Sequence, residues 1–188
     1  MIITDFSKFQ TGDIFFTNEK GFIGGFIRLG ETGKIKDMFS REIVNHTGII
    51  FNIYDQMFCA ELTKDGPDIT DIDKYRSKNN QIISVYRPTL FKDPVLLDQV
   101  AKYLAYWARK RKQKKYDPIG AISSSRWVQK LLPFIKDNPK RDFCSEYVYT
   151  FLKNFKHTFP MSWCIHKPNP LMVFEWMIKH PEQYTEIV

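Results

Sequence analysis

Cysteine is scarce in this 188-residue chain, with three residues at 59, 144 and 164. So few and so scattered, they exclude a disulfide scaffold, and an odd number leaves at least one free thiol. That usage fits a reducing compartment. The four histidines, at 46, 157, 166 and 180, form no close pair with the cysteines at zinc-like spacing, so no metal or cofactor is expected. No stretch approaches 18 uncharged apolar residues, so a membrane-spanning helix is not expected. The start, Met1-Ile2-Ile3-Thr4-Asp5-Phe6, lacks the basic-then-apolar pattern of a signal peptide, and the expected location is cytoplasmic. Internal repeats and low-complexity linkers are also missing, so one domain over 1–188 is expected.

What is present excludes disorder: 43% of residues are hydrophobic and 15% aromatic. The net charge is +7, and much of it sits in one run, Arg109-Lys110-Arg111-Lys112-Gln113-Lys114-Lys115. Such a run suits contact with an anionic surface. It suits equally a solvated helix end, where cations are favoured. No recognition motif accompanies it, which argues against specific nucleic-acid binding.

Hydropathy patterning divides the chain. Ile14 to Thr17 reads as a strand after the turn Gln10-Thr11-Gly12-Asp13. Five glycines punctuate 21–33, where Phe22, Ile23, Phe26 and Ile27 suit an apolar groove or ordinary core packing. Arg28 among them suits an anion site or the surface. Thr47 to Ile53 and Gln56 to Leu62 form a strand pair across Asn52 to Asp55, and Gln81 to Tyr86 a further strand. Lys64-Asp65-Gly66-Pro67 reads as a turn. Asp93-Pro94 opens a helix with the stripe Leu96, Val100, Tyr103, Leu104 and Trp107. A shorter helical segment is expected from Tyr116 to Val128. Asp142 is the expected cap of a helix bearing Val148, Phe151, Leu152 and Phe155, and Asn169-Pro170 opens another through Met177. Strands gathered first and helices after them make an α+β fold, an antiparallel sheet packed against helices.

The chemistry gathers at two places. Cys144 falls in the first turn of its predicted helix, where backbone N–H groups favour a thiolate. Its helical face, shared with 148, 151 and 155, puts the sulfur at the rim of the core, within reach of a substrate. His46 opens a strand, with Gly48 leaving room beside its ring. Glu61, amid apolar neighbours on the paired strand, is placed to hold the imidazole. Cys59 shares the face of Glu61 and is a weaker rival nucleophile.

In order along the chain, Thr11-Gly12-Asp13-Ile14-Phe15-Phe16, Phe26-Ile27-Arg28-Leu29-Gly30, Asn45-His46-Thr47-Gly48-Ile49-Ile50, Ala60-Glu61-Leu62, Tyr116-Asp117-x-x-Gly120, Phe143-Cys144-Ser145-Glu146-Tyr147-Val148 and Asn169-Pro170-Leu171 resemble the motifs of the circularly permuted NlpC/P60 superfamily of papain-like proteins, in its YiiX-like branch. The order histidine, acid, cysteine is what the permuted branch implies. The resemblance implies Cys144 as nucleophile, His46 as base and Glu61 as orienting acid. It implies a cysteine hydrolase or acyltransferase (amidase- or peptidase-like) acting on an amide, ester or thioester bond through an acyl-enzyme. The substrate would be a peptide, a lipid or another acyl-containing molecule. The alternative is a non-catalytic binding or structural module on the same fold. Two departures stand out. A secretion signal is missing, and Asn45 stands where many relatives place serine.

Overall fold

The structure is a computed structural model and describes residues 3, 5–18, 25, 27–29, 43–54, 56–63, 65–77, 81–110, 115–116, 141–156 and 168–188. Eight strands are described: β1 (Ile14–Thr17), β2 (His46–Ile53), β3 (Gln56–Thr63), β4 (Gly66–Asp71), β5 (Ile82–Pro88), β6 (Lys115–Tyr116), β7 (Arg141–Asp142) and β8 (Tyr184–Glu186). The described helices include α1 (Pro94–Lys110), α2 (Cys144–Asn154) and α3 (Pro170–Lys179), with 3-10 turns at Ile72–Arg76 and Thr89–Lys92. The architecture is α+β, as the hydropathy pattern predicts.

Six strands form one antiparallel sheet in the order β4-β3-β2-β1-β5-β8. Side chains alternate between its faces, and the two faces bury different clusters. One face carries Ile14, Phe16, Ile49, Phe51, Ala60 and Leu62, and α1, α2 and α3 pack on it. The other carries Phe15, Ile50, Cys59 and Val85, covered by Phe6, Phe9, Ile72 and Tyr75. The continuous apolar runs of β1 and β2 follow from this two-sided burial.

The helix starts have local causes. Asp93 Oδ1 accepts from the Val95 N–H ahead of Pro94. Asn169 Oδ1 accepts from Met172 N–H and caps α3. Trp107 stacks on Tyr147 at 3.9 Å and joins α1 to α2. The expected Asp142 cap is corrected: Asp142 pairs with Tyr116 in the two-residue parallel ladder of β6 and β7, and Phe143 is the N-cap, with no side-chain bond. Residues expected to form a turn at Gly66-Pro67 instead begin β4, and β8 is a strand the sequence pattern does not reveal. At the outer edge, Pro67 has no N–H and the Ile69 N–H bonds Asp68 Oδ1. Of the helical segment expected from 116 to 128, Tyr116 lies instead in β6, and residues 117–128, like Phe22, Ile23, Phe26, Cys164, His157 and His166, lie outside the described residues. Among the described residues, no helix is long and apolar enough to cross a membrane.

Candidate functional site

The β2–β3 hairpin fixes the centre of the site. Its register sets Gly48 opposite Glu61, and Gly48 sits two residues along the same face from His46. His46 and Glu61 meet there, with Nε2 and Oε2 2.7 Å apart. Glu61 is fully buried, and His46 is 6% exposed. The space left by Gly48 is filled by Phe15: a Cβ at 48 would lie 2.6 Å from that ring and 2.9 Å from the Ala60 carbonyl oxygen. Gly48 therefore permits close packing between strands; it does not open room beside the imidazole.

Glu61 has more partners than the hairpin supplies. Its Oε2 also accepts from Tyr75 OH at 2.8 Å. Its Oε1 accepts from Thr70 Oγ1 at 2.7 Å and from Lys74 Nζ. Thr70 belongs to β4, and Lys74 and Tyr75 to the 3-10 turn whose N-cap, Asp71, accepts from Asp73 N–H. Burial alone would raise the carboxyl pKa, but His46 and Lys74 together pull it down to about 2. Glu61 is an anion tied to three strands and a turn. Thr70, Lys74 and Tyr75 are members the sequence reading misses. Extending the hairpin pattern past Gly66 would place Thr70 on the Glu61 face, but the two turn residues carry no periodic signal.

Cys144 is the first residue of α2 and is 1% exposed. It shares a helical face with Val148 and Phe151, which pack on the sheet face opposite the one bearing His46 and Glu61. The expected accessible rim position is corrected to a buried one. The neighbouring motif residue Ser145 donates from Oγ to the Pro168 carbonyl at 2.7 Å, tying the start of α2 to the entry of α3. Cys59 is fully buried, and that burial, reinforced by the Glu61 charge, pushes its thiol well above the ordinary range. Arg28 is buried and donates from Nη1 to Asn18 Oδ1 at 2.8 Å. His180 stacks on Trp176 at the end of α3. A groove of about 670 Å³ opens at the turn end of the hairpin, between Phe6, Gln56, Met57, Ile72 and Arg76. None of Cys144, His46 or Glu61 lines it.

No protein-family model and no curated protein sequence matches this chain. Among solved structures, the fold is similar to that of the metalloprotein yiiX (DUF1105) from Escherichia coli O157:H7, at 19% identity and a TM-score of 0.53 over 95% of this chain and 96% of that one. The likeness is one of fold: an antiparallel sheet packed against helices. It overturns the expected cysteine hydrolase or acyltransferase, amidase and thiol-protease assignments included. The similar structure is that of a metalloprotein, and here Cys144 is buried, with 1% of its surface exposed. A metal does not fit the His46–Glu61 centre either. Among the described residues no three His, Cys, Asp or Glu side chains converge, and the Glu61 oxygens already face four donors, one of them an ammonium.

Proposed function

We propose that the chain is a non-catalytic binding or structural module, one domain over 1–188, on a circularly permuted papain-like fold of the YiiX-like kind. The observation that carries this reading is the saturation of Glu61. A carboxylate offers about four lone-pair sites, and here four side-chain donors fill them. Glu61 is thereby a structural anchor joining β2, β3, β4 and the following turn, and His46 is one strut of it. Cys144 and Ser145 serve the packing of α2 against the sheet and α3. The metal of yiiX is not carried over, because the donors around Glu61 leave no place for one.

The ligand side of the proposal rests on charge. The basic run 109–115 begins in the last turn of α1, and its partner is an anionic surface met in the cytoplasm. Binding of the full chain to phosphatidylserine vesicles is expected to weaken with salt and with Lys110, Lys112 and Lys114 replaced by serine. Folded Cys144→Ser and His46→Ala variants are expected to bind like the wild type. A radiolabelled acyl group trapped on wild type and not on Cys144→Ser would overturn the non-catalytic reading. Salt-independent vesicle binding would overturn the assigned surface.

A further inference from the structure

We infer that Lys74 is a built-in counter-cation whose ammonium occupies the place on Glu61 that a metal ion would need, so that this chain excludes divalent metals from the His46–Glu61 centre. The structural relative is a metalloprotein, and the present centre has the ingredients for a cation site: a buried imidazole and a buried carboxylate in contact. What it lacks is a vacant direction. Oε2 faces His46 Nε2 at 2.7 Å and Tyr75 OH at 2.8 Å. Oε1 faces Thr70 Oγ1 at 2.7 Å and Lys74 Nζ.

The ammonium is the decisive member. Lys74 keeps 28% of its side chain exposed while its tip reaches the fully buried carboxylate, so it comes in from the solvent side. Its charge is braced by the Tyr75 ring, 4.7 Å from Nζ. A divalent ion on Oε1 would have to displace that ammonium or sit against it, and in a buried site the repulsion is weakly screened. The other nearby donors offer no alternative. Asp68, opposite Glu61 in the ladder, gives Oδ1 to the Ile69 N–H. Cys59 is fully buried with its thiol held in the neutral form, whereas metals bind the thiolate. Lysine at 74 therefore does electrostatically what an ion would do, with a charge the chain cannot lose by chelation.

The test uses the full chain, free of any histidine tag, with Zn²⁺ and Co²⁺ as probes. Elemental analysis of the purified wild type is expected to find no stoichiometric metal, and Zn²⁺ titration to leave the His46 imidazole resonances unmoved. Lys74→Met removes the charge and keeps the length. It is expected to tighten Co²⁺ or Zn²⁺ binding about ten-fold or more, an effect lost again when His46→Ala is added. Lys74→Arg, which restores a cation, is expected to behave as wild type. Stoichiometric metal in the wild type that disappears in His46→Ala overturns the inference. So does a folded Lys74→Met variant with no gain in metal affinity. Should Lys74→Met fail to fold, Lys74→Gln replaces it, and the wild-type imidazole titration decides alone: a Zn²⁺-induced shift of His46 refutes exclusion.

Discussion

Asp13 and Glu61 are both fully buried carboxylates, and the fold treats them in opposite ways. Asp13 is held by one cation in a planar fork: Arg87 Nε reaches Oδ1 at 2.7 Å and Nη2 reaches Oδ2 at 2.8 Å, and the Gln10 N–H adds a third bond. Burial still outweighs these partners, and the Asp13 carboxyl is raised above its ordinary range. Glu61 is equally deep, yet His46 and Lys74 together hold it at about 2. Depth does not set the charge state; the number and polarity of the converging donors do. Asp13 clips an N-terminal turn to β5, whereas Glu61 gathers four elements around one point.

The largest expected effect comes from removing the gathering point. Glu61→Ala leaves Lys74, His46 and Tyr75 facing an empty buried space, and urea denaturation is expected to show a loss of about 3–5 kcal/mol. Acid titration separates the two carboxylates by sign. The folded pKa of Glu61 lies below its ordinary 4.5, so its contribution is complete above that value and is lost as pH falls toward about 2. The loss is on the order of 3 kcal/mol, and Glu61→Gln is expected to flatten it. Asp13 has the opposite slope. Its folded pKa is raised above 3.8, so it favours the fold increasingly as pH drops through that raised value, and Asp13→Asn is expected to steepen the acid loss.

Glycine substitutions probe each carboxylate through the backbone beside it. Gly48→Ala drives a methyl into Phe15 and the Ala60 carbonyl, across the ladder from Glu61. The expected cost is about 1–3 kcal/mol in thermal or urea melts. Gly12→Ala, at φ +92° and against the Phe91 ring, disturbs the Asp13 turn and is expected to leave the His46 resonances in place. The smallest effect should be Thr70→Val, which deletes one of the Glu61 bonds and keeps the side-chain shape. About 1 kcal/mol is expected, with little change at Asp13.

The same contrast marks what the sequence discloses. Alternation and the Asn/Asp turn are enough to place β2 and β3, and with them the approach of Glu61 to His46. Asp93-Pro94 and Asn169-Pro170 announce α1 and α3 because a cap and a first-position proline are local chemistry. β4 is hidden because Pro67 counts against a strand, although an edge position tolerates it. Asp142 misleads because a parallel partner at Tyr116, remote in sequence, pairs its backbone. Lys74 is invisible because a turn, with no period to read, delivers it. The burial of Cys144 depends on how α2 lies on the sheet, which no helical stripe reports.

The outer edge of β4 has a further consequence. Residues 67 and 69 point the same way along the strand; one is a proline without a donor, and the other has spent its N–H on Asp68. A neighbouring chain seeking to extend this sheet would find no row of amides to join there. The hairpin layer that carries the Glu61 anchor is in that way hindered from growing into a fibre, by two adjacent side chains.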